Sequence, residues 1–279
     1  MSRGTPCMAS RGALIAIGGH EDKDGEREIL KEVARRVQGG RLVVATVASS
    51  IPEEYYAEYE RVFGELGVTE LSELYVNERA EASDPEKLGC LENAAGVFFT
   101  GGDQLRIASQ IGDTLVEQAI RRVWEKGGLI AGTSAGASMM SDVMLIGGAS
   151  SESHRIGGIH MSAGLGLIRD VVIDQHFAER GRIGRLLGAV SQNPRILGIG
   201  IDENTACIVE GDEMRIIGEG AVYVADAADV THSNLAEAEP NSVLSVFDMR
   251  LHVLSSGDSF DLRQRKPTAG PHTSSARRD

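Results

Sequence analysis

The sequence has little cysteine, and the cysteines it has are scattered. Cys7, Cys90 and Cys207 are odd in number, and no two of them have a CxxC or other metal-binding spacing. Secreted domains built on disulfides and zinc sites built on thiolates both need paired or closely spaced cysteines. The pattern therefore predicts a protein of a reducing compartment, with no metal centre.

Positive charge is also in short supply. The chain has 28 Lys and Arg residues against 41 Asp and Glu residues, which gives a net charge of −13. Nucleic acids and anionic membranes attract proteins through positive fields. We therefore expect neither as a partner, whereas a cationic ligand would be attracted.

No apolar run is long enough to cross a bilayer, and the opening residues MSRGTPCMASRG contain no apolar signal-peptide core. We therefore expect a cytoplasmic location. The motifs GxGxxG and GxxxxGK[ST], which cradle nucleotide phosphates, are absent too. The sequence thus gives no support for nucleotide binding, and we expect no cofactor.

Short apolar runs alternate with amphipathic segments through residue 140. The predicted strands are Ala13–Ile17, Leu42–Val47, Leu71–Val76 and Val97–Thr100. The predicted helices are Glu28–Gln38, residues 52–66 and Thr114–Lys126. Because the strands lack alternating polarity, they are typical of a parallel sheet covered by helices on both faces.

The pattern changes after residue 141. A strand at Val171–Ile173 precedes a predicted helix over Ala178–Val190, and Thr205–Val224 is typical of antiparallel hairpins with a turn at Gly211-Asp212. We predict an α/β fold, with a mostly parallel sheet flanked by helices and extra β-hairpins in the C-terminal third. A single catalytic domain over residues 13–265 would lie between a short leader (1–12) and a disordered tail (266–279).

The segment Gly132-x-Ser134-x-Gly136 matches a nucleophile elbow, because an apolar strand precedes it and a helix of small residues follows it. Glycines two positions before and after the serine leave room for the tight turn. The N–H of Ala135, with that of Gly102 at the end of a neighbouring strand, would form the oxyanion hole. A glycine-rich turn without chemistry is the alternative, and Ser138 is the next candidate nucleophile.

A serine needs a base, and the base needs an acid to orient it. His176 is the best candidate base because it follows an apolar strand among polar residues, although it could instead be a buried structural histidine. His20, after Gly18-Gly19, is the reserve candidate. Glu203 is the preferred acid, and Asp202, on the other face of the strand end, is the alternative.

Four segments together resemble the cyanophycinase family: FFTGGDQLRI, GTSAGAS, VIDQHFAERGRIGRLL and GIGIDENTA. The resemblance covers roughly residues 13–265 and implies a serine peptidase related to aspartyl dipeptidase. It also implies a flavodoxin-like sheet similar to that of class I glutamine amidotransferases. In such an enzyme Ser134 would be the nucleophile, His176 the base and Glu203 the acid, with no metal.

The resemblance further implies the substrate and the assembly. The substrate would be cyanophycin, a poly-aspartate chain with arginine on each side chain, cut to β-aspartyl-arginine dipeptides by a homodimer. The residues that match substrate-recognition positions of the family are Gln104, Asp174, Gln175, Arg180, Arg182 and Arg185.

The chemistry of such a polymer agrees with these residue types. Asp103 and Asp174 could receive a guanidinium, while arginines bind carboxylates through two parallel hydrogen bonds. On a regular helix Arg182 and Arg185 share a face and Arg180 is rotated away, unless Gly181 and Gly184 interrupt the helix. We expect Arg182 and Arg185 on the substrate, with Arg180 reaching a neighbouring unit or bracing the His176 loop.

Two other functions compete with this one. An aspartyl dipeptidase acting on short Asp-X peptides would not need so many arginines near its base. A binding protein that kept the fold without catalysis would not need Ser134, His176 and Glu203 together.

Overall fold

The computed structural model describes residues 11–147, 155–239 and 241–271. Residues 1–10 of the predicted leader and residues 272–279 of the predicted tail lie outside the described residues. The elements of the first half are β1 (Leu14–Ile17), α1 (Glu28–Arg36), β2 (Arg41–Ala45), α2 (Pro52–Glu65), β3 (Glu70–Leu74), a 3-10 helix (Arg79–Ser83), α3 (Pro85–Leu91), β4 (Ala94–Phe99), α4 (Gln104–Ile111), α5 (Leu115–Glu125), β5 (Leu129–Thr133) and α6 (Ala135–Ser138).

The second half is richer in strands and contains one helix among the residues described. Its elements are β6 (Val143–Gly147), β7 (His160–Ala163), β8 (Val171–Gln175), α7 (Ile183–Gln192), β9 (Leu197–Ile201), β10 (Thr205–Glu210), β11 (Glu213–Gly218), β12 (Val222–Asp226), β13 (His232–Ser233), β14 (Val246–Phe247), β15 (Arg250–Leu254), β16 (Ser259–Asp261) and β17 (Lys266–Thr268). None of the helices described is long and apolar enough to cross a membrane.

The large sheet has the strand order β17-β16-β11-β10-β1-β5-β4-β2-β3. The run β1-β5-β4-β2-β3 is parallel, and the strands on the other side of β1 are antiparallel. The predicted α/β fold, a parallel sheet flanked by helices with hairpins added in the C-terminal third, is confirmed.

The parallel strands are buried on both faces, as their unbroken apolar runs predicted. Val97 and Ile130 pack into the core on one face of the sheet, and Phe98 and Ala131 pack into the core on the other. Because side chains alternate along a strand, a strand covered on both sides needs an apolar residue at every position.

A second sheet has the strand order β15-β12-β9-β8, with β8 and β9 parallel. The hairpin of β10 and β11 turns at Gly211-Asp212, as predicted. The next strand, β12, instead pairs with β9 in the second sheet. The prediction that Thr205–Val224 forms hairpins is therefore right for the first two strands and wrong for the third.

Two other elements differ from prediction. The helix α4 was not predicted; its N-cap is Asp103, whose side chain accepts a hydrogen bond from Leu105 N. The strand β17 begins at Lys266, inside the segment predicted as a disordered tail, and pairs with β16. The tail prediction is therefore wrong for residues 266–268.

Candidate active site

Ser134 lies on a sharp turn between β5 and α6. Its backbone has φ 53° and ψ −111°, a conformation that L-residues rarely adopt. A Cβ on Gly132 would lie 2.3 Å from Gly136 O, and a Cβ on Gly136 would lie 2.6 Å from Phe99 O. Both glycines are therefore required by close backbone approach, which is the reason that the sequence pattern suggested.

Backbone hydrogen bonds bring the strand ends together around this serine. Ser134 N donates to Ile17 O (3.0 Å), and His176 N donates to Gly18 O (2.8 Å). The two sheets therefore meet where β1, β5 and β8 end.

One continuous hydrogen-bond chain links the three predicted catalytic side chains. His176 Nδ1 lies 2.6 Å from Glu203 Oε1, and His176 Nε2 lies 3.0 Å from Ser134 Oγ. A carboxylate at Nδ1 holds the proton on that nitrogen, so Nε2 is left to accept the hydroxyl hydrogen of Ser134. This arrangement can remove a proton from the serine.

The alternative residues are engaged elsewhere. Asp202 accepts backbone hydrogen bonds from Ala178 N (2.9 Å) and Ala221 N (3.1 Å), so its carboxylate braces the second sheet. Ser138 is buried in α6, and its hydroxyl donates to Ile173 O (3.4 Å).

Burial is the largest influence on the pKa values of His176 and Glu203. It lowers the pKa of His176 below the ordinary value, and the positive charge of Arg180 lowers it further, against the raising effect of the Glu203 hydrogen bond. Burial by itself would raise the pKa of Glu203, but hydrogen bonds from His20 and His176 outweigh it and the pKa is lowered. A neutral imidazole beside an ionised carboxylate is the combination that general-base catalysis needs.

The N–H groups predicted for the oxyanion hole belong to Gly102 and Ala135. Neither N–H has a hydrogen-bond partner among the described residues. The Gly101-Gly102 loop lies against Ser134, since a Cβ built on Gly101 would contact Ser134 Cβ at 3.6 Å. Both N–H groups are thus without a backbone partner among the described residues, and both belong to residues close to Ser134 in the chain or in the pocket.

A pocket of about 370 Å3 opens over Ser134. Arg180, Arg182 and Arg185 all line it, as do Gln104 and Gln175. Among the three arginines, Arg180 is exposed and the other two are buried.

The two buried arginines are clamped by one carboxylate. Arg182 Nη1 lies 3.0 Å from Asp174 Oδ1, and Arg185 Nε lies 2.8 Å from Asp174 Oδ2, with a further bond from Arg185 Nη2 to Oδ1. Arg182 Nη1 also donates to Gln175 O (2.5 Å) and Gln175 Oε1 (3.0 Å). Since each guanidinium has five N–H donors, both retain donors for a ligand.

These contacts correct two sequence predictions. Asp174 is buried, pairs with Arg182 and Arg185, and does not line the pocket, so it is not placed to receive a substrate guanidinium. The Asp103 side chain caps the start of α4 by accepting a hydrogen bond from Leu105 N, and it does not line the pocket either.

The helix expected over Ala178–Val190 begins only at Ile183, with Arg182 as its N-cap. Gly181 has φ +59° and interrupts regular helix before that point. The predicted rotation of Arg180 away from Arg182 therefore does not apply; all three arginines line one pocket because Arg180 lies in the preceding turn.

The remaining predicted recognition residue, Gln104, is partly committed. Its Nε2 donates to Leu145 O (2.8 Å), which fixes the amide at the pocket wall. The amide oxygen is left to accept from a ligand.

Sequence reasoning missed Glu21, the one carboxylate among the pocket residues described. Glu21 is buried and accepts hydrogen bonds from Tyr59 OH and from Thr133 Oγ1 (2.5 Å). Its position just past the end of β1, beside Gly18-Gly19, was the signal that could have found it.

In the part of the chain that the structure describes, side chains that could bind a metal ion come together at one place. Atoms of His20, His176 and Glu203 lie within 4.8 Å of one another. His176 Nδ1 is hydrogen-bonded to Glu203 Oε1, and His20 Nδ1 lies 2.8 Å from Glu203 Oε2. The absence of a metal centre stays a prediction.

Comparison with known proteins agrees with this site. The chain matches the peptidase family S51 over residues 14–217. It is 39% identical over 257 residues to a cyanophycinase of Synechococcus elongatus, a match that covers 91% of this chain and 80% of that protein. It is 40% identical over 269 residues to a cyanophycinase of Trichormus variabilis, a match that covers 95% of this chain and 90% of that protein.

A solved structure shares the fold. The crystal structure of a peptidase from an acI-B1 Actinobacterium has a TM-score of 0.67 at 22% identity, covering 90% of this chain and 97% of that chain. The match to the family model spans most of the chain, and the relatives align along nearly all of it. The chain therefore belongs to peptidase family S51 and is a serine-type peptidase.

Proposed function

We propose that Ser134 is the nucleophile, His176 the general base and Glu203 the acid that orients it. Ser134 Oγ attacks the scissile carbonyl while His176 Nε2 takes its proton, and the Glu203 carboxylate stabilises the imidazolium that forms. The N–H groups of Gly102 and Ala135 hold the oxyanion. His176 then returns the proton to the leaving amine, and water hydrolyses the acyl-enzyme by the same route.

The substrate that we propose is cyanophycin, cut in its poly-aspartate backbone to release β-aspartyl-arginine dipeptides. Relatives at 39–40% identity along nearly the whole chain are cyanophycinases, which supports this choice. The pocket supports it too, because each unit of the polymer carries a free carboxylate and a guanidinium. Arg180 with the two clamped arginines offers donors to the carboxylate, and Glu21 supplies the opposite charge.

One observation carries the proposal: the chain Ser134–His176–Glu203 opens into a pocket lined by three arginines. The test is to incubate the purified protein with insoluble cyanophycin and identify the soluble product by mass. We expect β-aspartyl-arginine from the wild type. Ser134→Ala should lose roughly 10³-fold or more in rate, because removing a triad nucleophile removes the covalent route.

Other outcomes of this assay would contradict the proposal. Cleavage of an Asp-X dipeptide panel without release from the polymer would indicate an aspartyl dipeptidase. No turnover together with no labelling by a fluorophosphonate would indicate a binding protein on the same fold. Full activity of Ser134→Ala would remove Ser134 from the nucleophile role.

We further propose that the protein is a cytoplasmic homodimer. Resemblance to the family supports the dimer, and the scattered cysteines support the reducing compartment. Light scattering coupled to size exclusion should give twice the chain mass of 29.7 kDa. A single-chain mass at micromolar protein would contradict the dimer.

A further inference from the structure

His20 lies beside the proposed catalytic acid. It follows β1 and Gly18-Gly19, and its Nδ1 is 2.8 Å from Glu203 Oε2. The other oxygen, Oε1, faces His176 Nδ1 at 2.6 Å. One carboxylate therefore lies between two imidazoles and uses both of its oxygens.

The exposure of the three side chains differs. The His176 side chain is 6% exposed, that of Glu203 25% and that of His20 74%. The carboxylate thus lies where the protein meets solvent, with His20 on its outer side. Among the described residues, His20 is the group that contacts Oε2, so it is placed to limit rotation of the carboxyl group away from His176.

The loop that carries His20 is fitted closely to the same histidine. Gly19 has φ +104°, and a Cβ there would lie 2.3 Å from His176 Cε1, so only glycine lets the loop approach the ring. Gly19 O accepts from Asn204 N (2.9 Å), next to Glu203 in the chain. The His20 and His176 rings meet edge to face, with centroids 5.1 Å apart.

From this geometry we propose that His20 is a positioning residue for Glu203. It donates Nδ1–H to Oε2 and so holds Oε1 in line with His176 Nδ1. The proposal rests on the proposed function, in which His176 is the base and Glu203 orients it. His20 is not itself the base, since the histidine bonded to Ser134 Oγ is His176.

The backbone conformation at His20 allows two substitutions that test this role without adding strain. His20 has φ +45°, a conformation that glycine and asparagine both tolerate better than other residues. His20→Gly removes the imidazole without adding backbone strain. His20→Asn keeps an N–H donor close to the position of Nδ1, since the two side chains match as far as that atom.

The expected result is a loss that asparagine recovers. On a soluble oligomer of β-aspartyl-arginine units, His20→Gly should lower kcat about 10-fold with little change in KM, as expected for losing a hydrogen bond to a charged group. His20→Asn should retain most of kcat. The rate of Ser134 labelling by a fluorophosphonate should follow the same order, and it needs no knowledge of the substrate.

A double-mutant cycle makes the argument specific to the carboxylate. In a Glu203→Ala background, His20→Gly should have almost no further effect, because the group that His20 positions is gone. His160→Ala removes an exposed histidine of β7 that does not line the pocket and should leave both rates unchanged.

The outcomes separate this proposal from the function on which it rests. Wild-type rates in His20→Gly, or equal losses in the glycine and asparagine variants, would overturn the positioning role even if the enzyme cleaves the polymer. Full labelling of Glu203→Ala would overturn the catalytic assignment itself.

Discussion

At the residue scale, the ionisation of His176, the proposed base, should set the pH range of the reaction. The base must be neutral to accept a proton. Burial first, and then the nearby Arg180 charge, lower its pKa from the ordinary 6.5. The neutral form therefore persists to lower pH than for a free histidine, and the acid limb of kcat/KM should lie below pH 6.5.

Arg180→Gln tests the cause of this shift. Removing the positive charge takes away a lowering influence, so the pKa of His176 should rise and the acid limb of kcat/KM should move to higher pH. Arg195→Gln is the matched control, because Arg195 is an exposed arginine paired with Asp170 and lies outside the pocket. An unmoved acid limb in Arg180→Gln would show that the Arg180 charge does not depress the pKa of His176.

At this scale the sequence was most informative about Ser134. Its pattern includes the glycines that the turn requires, because steric demands on a turn act within a few residues. The partners of Asp174 could not be read in the same way. An acid that pairs with arginines inside the protein and an acid that binds a ligand have the same sequence pattern. Only the burial of Asp174, Arg182 and Arg185 in the structure distinguishes the two.

At the element scale, the Asp174 clamp ties β8 to the start of α7. Asp174→Asn would leave two buried guanidinium groups without their counter-charge. Breaking a buried pair from one side destabilises by roughly 3–5 kcal/mol. We expect a fall of that order in the free energy of unfolding, measured by urea denaturation.

The exposed pair of Asp170 and Arg195 provides the control for this prediction. Its side chains are 61% and 85% exposed, so Asp170→Asn should change the free energy of unfolding by less than about 1 kcal/mol. Equal midpoints for the two asparagine variants would show that the clamp does not hold β8 and α7 together.

The sequence predicted the elements whose signal is local. Apolar runs of the parallel strands were found, because a strand buried on both faces needs apolar residues throughout. The start of α7 was misplaced, because a glycine inside a helical pattern can either continue the helix or, as Gly181 does, take a left-handed conformation and interrupt it. The partner of β12 was misassigned, because the choice between β11 and β9 depends on packing between distant segments.

At the scale of the whole molecule, the site is divided between two sheets. Ser134 follows β5 of the large sheet, whereas His176 and Glu203 follow β8 and β9 of the second sheet. The sequence predicted that Gly102, at the end of a neighbouring strand, would lie beside Ser134, since the carboxyl ends of parallel strands share an edge. It did not indicate that a second sheet would supply His176 and Glu203.

This division has a consequence for the newly made chain. During synthesis Ser134 leaves the ribosome before His176 and Glu203. The strand β1 cannot pair with β10 until that strand has been made, since Ile17 pairs with Ala206. A chain that stalls before Glu203 carries Ser134 without the acid that is proposed to orient its base. On the proposed assignment, peptidase activity arises only after synthesis has passed residue 203 and the two sheets have docked.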